Sequence, residues 1–177
     1  MSVSGTYAID PVHSSITWQI RHGGLAWFRG YFDGVEGTLD ATGPEPVLQG
    51  KTKVENISIR FPDMFRGHMM GEEFFDAANF PEISFTSTKL DIADDGNVTV
   101  EGDLTIRDKT NRVTGTGTFA GPVETPNGTR IAFDLQTTIN RHDFGVSWEA
   151  PPLPSGEGRA LGDEVTIGLT LQLAPAE

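Results

Sequence analysis

Histidine and serine are the residues of this sequence whose side chains could supply catalytic or metal-binding chemistry. The four histidines are His13, His22, His68 and His142. No two of them stand at the close spacing typical of zinc ligands, and no His-Glu-x-x-His motif occurs. Ser14 and Ser15 lie beside His13, but the sequence has no Gly-x-Ser-x-Gly turn that would expose a nucleophile. The pattern therefore predicts no metal site and no catalytic residues.

Composition excludes further classes of function. The chain of 177 residues has a net charge of −12 and contains no cysteine. Disulfides, thiolate metal sites and cysteine nucleophiles are therefore excluded. The negative charge argues against nucleic acid as a partner and against simple adhesion to anionic lipid headgroups. Because the sequence shows neither a signal-peptide pattern nor a membrane-spanning apolar run, we expect a cytoplasmic protein without stable membrane insertion.

Alternation of apolar and polar residues with a period of two dominates the chain. The alternating runs are 14–22, 98–107, 113–119, 131–139 and 165–173. Such alternation is typical of antiparallel strands that have one buried and one solvated face. Residues 26–40 and 82–93 are expected to be further long strands. The apolar phase slips within 82–93, and a β-bulge would explain that slip.

Turn residues separate the predicted strands. Glycine and proline, which number 21 and 11 in the chain, mark turns at 42–44, 94–97, 121–122 and 126–128. About eight strands joined by short turns predict an all-β fold, an up-and-down antiparallel barrel. Residues 150–160 are rich in proline and are expected to form a mobile surface loop.

Residues 62–80 break the strand pattern and concentrate methionine and phenylalanine. Pro62 and Asp63 suit the start of a helix, so we expect one or two short helices here. The apolar members are Met64, Phe65, Met69, Met70, Phe74, Phe75 and Phe80. These side chains either plug one end of the barrel or form an adaptable apolar wall, because unbranched methionine accommodates different ligand shapes.

Four groups of residues together resemble the YceI-like family, also described as polyisoprenoid-binding proteins. They are Tyr7-x-Ile9-Asp10-Pro11-x-His13-Ser14-Ser15, then Arg21-His22 with Arg29-Gly30-x-Phe32, then His68 followed by Phe74-Phe75-Asp76 and Phe80-Pro81-x-Ile83-x-Phe85-x-Ser87-Thr88, and finally Asp143-Phe144-Gly145-Val146-x-Trp148 with Gly162-Asp163-Glu164-Val165. They occur in the family's order over nearly the whole chain.

The resemblance implies an extended, lipocalin-like, eight-stranded antiparallel barrel in a single domain over residues 1–177. It places a short helical segment near 62–76. It also implies an elongated apolar pocket for an isoprenoid chain, such as a polyprenyl phosphate or a quinone tail, and a homodimer. Met69-Met70 stand where the family often has Leu-Arg, so an arginine contact to an anionic headgroup is not expected at that position.

The predicted ligand site combines the inward face of the strands with the segment 62–80. For the apolar tail its members are Ile16, Trp18, Ile20, Phe65, Met69, Met70, Phe74, Phe75, Phe85, Leu104, Phe119, Phe133, Leu135, Phe144 and Trp148. For the polar head they are His22, Arg66 and His68.

The predicted function is non-catalytic binding, transport or sequestration of an isoprenoid lipid or isoprenoid quinone, with no other cofactor. Two other functions stay open. A barrel filled by its own side chains would act as an interaction module, with the loop 150–160 as its contact surface. A hydrolase or isomerase would use His22 or His68 with a nearby acid.

Overall fold

The computed structural model describes residues 3–149 and 160–176. Within them lie ten strands, one α-helix and two 3₁₀ turns. The strands are β1 (Gly5–Ile9), β2 (Ser15–His22), β3 (Ala26–Phe32), β4 (Glu36–Ala41), β5 (Val47–Lys53), β6 (Glu82–Ile92), β7 (Asn97–Ile106), β8 (Lys109–Thr125), β9 (Gly128–Asn140) and β10 (Leu161–Pro175). The helix is α1 (Asp63–Met70), and the 3₁₀ turns are Val54–Asn56 and Arg141–Phe144.

Eight of the strands close into an antiparallel barrel. In the order β1-β4-β5-β6-β7-β8-β9-β10 each strand pairs with the next, and β10 pairs back to β1 where Leu173 faces Ile9. Strand β2 follows β1 after a bend at residues 11–13 and pairs with the remaining length of β10, while β3 pairs with β2. These two strands lengthen the wall of the barrel. The all-β, eight-stranded barrel expected from the sequence is confirmed.

The phase slip in β6 is a β-bulge, as the sequence predicts. Pairing with β7 shifts its register between Ser87 and Lys89. Phe85 before the shift and Leu90 after it therefore both face the interior, although one position is odd and the other even. An extra residue in the strand restores the inward phase.

The turn expected at Gly121-Pro122 and the single strand expected over 26–40 are both wrong. Gly121-Pro122 lies inside β8, where pairing with β9 shifts register between Ala120 and Val123, because a bulge tolerates a proline that cannot donate to the ladder. The stretch 26–40 is two strands, separated at 33–35, where Gly34 has φ 61°.

The expected helical segment is present, and its α-helix ends at Met70 with turns after it. Of the expected loop 150–160, all but Ala160 lies outside the described residues.

Strand direction defines two ends of the barrel. The closed end carries the connections β4–β5, β6–β7 and β8–β9, and its core cluster includes the fully buried Leu39, Ile131, Phe133 and Leu173. The helix end carries the connections β2–β3, β5–β6, β7–β8 and β9–β10, of which β5–β6 contains α1. A second buried cluster lies there, against α1.

Gly117 allows β8 and β9 to approach each other closely. A Cβ atom at this position would lie 1.9 Å from the carbonyl oxygen of Asp134. We expect Gly117→Ala to lower the free energy of unfolding by about 1–3 kcal/mol, because the two backbones must separate. Gly43→Ala is the control, since a Cβ atom there meets nothing within 4 Å. Urea denaturation measures both, and equal losses in the two variants would contradict the prediction.

Candidate ligand-binding cavity

An apolar cavity of about 240 Å³ runs inside the barrel from α1 toward Ile9 and Leu171. It exceeds the roughly 150 Å³ of an engineered apolar cavity that stays dry and binds benzene. It lies slightly below the about 300–1,000 Å³ of typical small-molecule pockets. The inward-facing side chains therefore enclose space at this level of the barrel instead of meeting in the middle.

The strand walls of the cavity follow the period of two. On β2 the even positions Ile16, Trp18 and Ile20 border the cavity, with Ile20 buried. On β10 the odd positions from Val165 to Leu171 do the same. The intervening residues face outward, because successive side chains of a strand point to opposite faces.

Helix α1 and the turn after it cover the helix end of the cavity. Phe65 of α1 lies with its ring centroid 6.0 Å from that of Phe28, and Phe75 of the turn lies 5.9 Å from Phe32. Met69 borders the cavity and is also buried in the helix-end core. The Met/Phe-rich segment therefore serves both roles that the sequence left open: it plugs this end of the barrel and it forms part of the cavity wall.

Three rings join α1 to the connection between β9 and β10. Ring centroids lie 4.9 Å apart for His68 and Phe74, 5.3 Å apart for His68 and Trp148, and 5.5 Å apart for Phe74 and Trp148. The backbone amides of Ser147 and Trp148 donate to the carbonyl oxygen of Glu73, at 3.1 and 3.0 Å. Phe74 and Trp148 border the cavity, so these contacts fix its wall.

Arg141 is a buried cation beside the cavity that sequence reasoning missed. Its side chain is 3 % exposed, and its guanidinium donates to the carbonyl oxygens of Gly162 (2.9 Å), Val146 (2.9 Å) and Trp148 (2.7 Å). It also lies 3.6 Å from the carboxylate of Asp163. Arginine is rarely buried, and nothing in the local pattern marks this one. Its role is to hold the backbone that carries Val146 and Trp148 into the wall.

An ion pair and a hydroxyl tie down the wall on the side of β5. Lys51 donates a hydrogen bond to the carboxylate of Glu82 at 2.9 Å, and this contact raises the pKa of the Lys51 ammonium group. The buried Thr52 donates to the carbonyl oxygen of Asp33 at 2.8 Å. Both groups are hydrogen-bonded to protein partners, so neither is assigned to ligand binding.

Most residues predicted for the apolar tail border the cavity. They are Ile16, Trp18, Ile20, Phe65, Met69, Phe74, Phe75, Phe85, Leu104, Leu135, Phe144 and Trp148. Phe119 and Phe133 do not, because they pack on each other in the closed-end core with ring centroids 5.1 Å apart. Met70 also lies off the cavity and packs against the helix-end cluster.

Of the three residues predicted for the polar head, only His22 borders the cavity. Arg66 is instead occupied by the chain before α1, where it donates to the carbonyl oxygens of Glu55 (2.7 Å), Ile57 (3.3 Å) and Ile59 (2.9 Å). His68 is absent from the cavity wall; its Nε2 lies 3.5 Å from the Glu73 carboxylate. Arg66 and His68 therefore do not line the cavity, and their contact with a ligand head stays a prediction.

Other wall residues were not predicted. The sequence signal was available for those on strands, since they continue the alternation of β3, β9 and β10, and they include Phe28, Phe32, Ile139, Val165, Ile167 and Leu169. Ile57 and Val146 lie outside the named strands, where no periodicity marks them.

Within residues 3–149 and 160–176, no three acidic or histidine side chains lie close enough together to hold a metal ion. No helix in the same residues is long and apolar enough to cross a membrane.

A closed antiparallel β-barrel with an apolar internal cavity, covered at one end by a short helix, is the class of protein that this fold and site define. The sequence model of the YceI-like domain matches residues 7–173. The chain belongs to the YceI-like family, and the resemblance seen in the sequence is confirmed.

Similar proteins agree with this assignment. A UPF0312 protein of Pseudomonas fluorescens (strain SBW25) is 32% identical over 155 residues, which cover 84% of this chain and 80% of that protein. The crystal structure of Burkholderia cenocepacia BcnA superimposes with a TM-score of 0.75 at 22% identity and covers 93% of this chain and 98% of that one. A polyisoprenoid binding domain from Saccharophagus degradans superimposes with a TM-score of 0.71 at 14% identity, covering 96% and 98%. At such identities the solved structures show that the fold is shared.

Proposed function

We propose that this protein binds a small isoprenoid lipid, a polyprenyl chain or the tail of an isoprenoid quinone, in the barrel cavity and performs no chemistry on it. The observation that carries the proposal is the almost wholly apolar cavity of about 240 Å³ inside the barrel. Removing a methylene group from water into such a space contributes about 0.8 kcal/mol. A prenyl chain offers nothing for hydrogen bonding, so shape and volume select it.

The cavity volume limits how much of the ligand is enclosed. At roughly 30 Å³ per water-sized group the cavity takes about eight such groups, or about two isoprene units. Their burial contributes about 6 kcal/mol, equivalent to a Kd on the order of 10⁻⁵ M. A longer chain would bind through its terminal units, with the remainder leaving at the helix end.

The comparisons support the class of ligand. The protein from Saccharophagus degradans, which shares the fold, is described as a polyisoprenoid binding domain. A hydrolase or isomerase is less well supported. The His68–Glu73 pair does not border the cavity, and His22, which does border it, forms no ion pair with an acid within the described residues. A filled barrel that acts only as an interaction module does not account for the cavity.

Tryptophan fluorescence tests the proposal directly. Trp18 and Trp148 border the cavity, whereas Trp27 is exposed on β3. We expect a quinone bearing two isoprene units to quench the emission saturably, and geraniol, which does not quench, to compete with it. The same quinone ring without a tail is the control. Quenching by the ring alone with equal affinity, or no saturable quenching by the prenylated quinone, would overturn the proposal.

The homodimer and the cytoplasmic location expected from the sequence remain predictions. Sedimentation equilibrium and cell fractionation measure them.

Met69 sets the depth of the cavity at α1. It is 7 % exposed and borders the cavity, so Met69→Ala is expected to lower the free energy of unfolding by about 2–5 kcal/mol. The enlarged cavity should also bind a three-unit prenyl quinone more tightly than the parent protein does. Met64→Ala, on the same helix but 84 % exposed, is the control and should change neither quantity. Thermal unfolding with and without the quinone measures both effects, and unchanged chain-length preference would argue against the assignment of Met69 to the wall.

A further inference from the structure

The net charge of the chain hides a local excess of arginine. Residues 15–32 and 57–71 contain Arg21, Arg29, Arg60 and Arg66 against a single carboxylate, Asp63. These two stretches therefore carry +3, whereas the whole chain carries −12. The remainder of the chain holds all of the negative excess.

The two stretches are neighbours at the helix end. The amide of Ser58 donates to the carbonyl oxygen of Tyr31 at 2.8 Å, and Phe32 forms an antiparallel bridge with Ile57. Further along, the ring of Phe65 lies 6.0 Å from that of Phe28. The β2–β3 hairpin and the chain around α1 thus form one face of the molecule, beside the part of the cavity that Phe28 and Phe65 border.

Large apolar side chains project from this basic face into solvent. Leu25 at the hairpin turn is 86 % exposed, Phe61 before α1 is 86 % exposed and Met64 in its first turn is 84 % exposed. Trp27 lies beside them on the hairpin, with the guanidinium of Arg21 4.2 Å from its ring centroid. We call the set the apolar-basic rim; it comprises Arg21, Leu25, Trp27, Arg29, Arg60, Phe61 and Met64.

We propose that the apolar-basic rim docks onto an anionic phospholipid bilayer. Leu25, Phe61 and Met64 enter the boundary between headgroups and acyl chains, and the arginines face the lipid phosphates. Basic side chains combined with leucine and phenylalanine are the composition of interfacial membrane anchors. The inference rests on the proposed function in one respect: docking places the helix end of a lipid-binding cavity against the bilayer that supplies the lipid.

The negative charge of the whole chain does not prevent this docking. Screening at physiological salt reduces interactions beyond about 8 Å, whereas a strand of the length of β10 spans roughly 40–50 Å. Carboxylates at the closed end, such as Asp94, Asp95 and Glu124, therefore act weakly on a surface at the helix end. Carboxylates that adjoin the two stretches are nearer, but Glu55 pairs with Lys53 and Glu73 lies beside His68, at 3.5 Å in each pair. The rim itself carries three arginines and no carboxylate.

Charge and shape favour a bilayer over a second copy of the chain. A two-fold symmetric contact through the rim would set arginines against arginines, because the same patch meets itself. The exposed side chains also project from three separate places, the hairpin turn, the chain before α1 and its first turn. A bilayer accepts separate projections, whereas a protein interface needs a closely packed centre.

Vesicle co-sedimentation of the full chain tests the proposal. We expect binding to vesicles of phosphatidylcholine with 30 per cent phosphatidylglycerol to exceed binding to phosphatidylcholine alone at least fivefold, and to weaken in high salt. The triple variant Leu25→Ser, Phe61→Ser, Met64→Ser should lower the partition coefficient at least tenfold. Arg29→Gln and Arg60→Gln should each lower it about fivefold.

Two substitutions away from the rim serve as controls. Val123→Ser removes an apolar side chain that is 57 % exposed in β8, and Lys89→Gln removes a cation from β6. Both should bind vesicles like the parent, and circular dichroism checks that every variant is folded. Rim variants that bind vesicles like the parent, or equal binding to neutral and anionic vesicles, would overturn the proposal.

Two further measurements distinguish membrane docking from self-association of the chain and from the proposed lipid binding. If the triple variant changes the oligomeric state measured by light scattering while vesicle binding persists, the rim is a contact between copies and the proposal is wrong. Quenching by the prenylated quinone in solution is measured on the same variants. Rim variants that keep quinone binding but lose vesicle binding support docking. If the parent protein binds vesicles but no quinone, only the proposed function is contradicted.

Discussion

Replacing Ile167 by tryptophan is expected to lower the affinity for a prenyl quinone about tenfold while the barrel stays folded. Ile167 borders the cavity from the middle of β10, where it pairs with Trp18 of β2 and with Thr137 of β9. Because the indole ring replaces an isoleucine side chain, it takes the space of about two of the eight ligand groups that the cavity holds. Losing their burial costs about 1.6 kcal/mol, or roughly tenfold in Kd.

The same substitution on the outer face of the barrel is the control for Ile167→Trp. Thr138 is exposed on β9 and pairs with Thr166 of β10, so Thr138→Trp adds an indole close by without entering the interior. Competition between geraniol and a prenyl quinone measures ligand affinity in both variants, and urea denaturation measures their stability. An equal loss of affinity in the two variants would place the ligand somewhere other than the cavity.

Alternation predicted which face of each strand a residue occupies, because that property depends only on neighbours in the sequence. Ile16, Trp18 and Ile20 were placed inside correctly for this reason. The bulge in β6 was also visible, since a phase slip between Phe85 and Leu90 leaves a local trace.

Alternation did not predict the depth of a residue along the barrel axis. Phe119 and Phe133 alternate as regularly as the residues of β2, yet they fill the closed end instead of bordering the cavity. Depth follows from which strands pair and in what register, and these are contacts between distant parts of the chain. Whether an inward side chain meets another or meets space is settled only after all eight strands of the barrel have closed.

Arg66 and Arg141 show a second limit of prediction from the sequence. Arg66 stands in the Met/Phe-rich segment, which made it a natural candidate for a ligand headgroup, but three backbone carbonyls occupy it. Arg141 stands in a polar stretch after β9 and is nonetheless buried. The position of an arginine is decided by where unpaired carbonyl groups converge, and that convergence belongs to the folded backbone rather than to the sequence pattern.

Arg141→Met is expected to give a loss of about 3–5 kcal/mol in the free energy of unfolding. The substitution removes charge-assisted hydrogen bonds to the carbonyl oxygens of Gly162, Val146 and Trp148. Removing one partner leaves these groups without compensation in the interior, and this accounts for most of the cost. Arg141→Lys keeps the charge but not the planar fork of donors, so its loss should be intermediate.

An exposed arginine provides the comparison for Arg141. Arg112 donates to Asp103 at 2.8 Å, with the two side chains 55 % and 45 % exposed, so Arg112→Met should cost about 1 kcal/mol or less. Urea denaturation ranks the three variants. Because Arg141 anchors the backbone that carries Trp148, we also expect Arg141→Met to shift the tryptophan emission and to weaken binding of a prenyl quinone. A loss no larger than that of Arg112→Met, with unchanged emission, would mean that the wall of the cavity holds its shape without this cation.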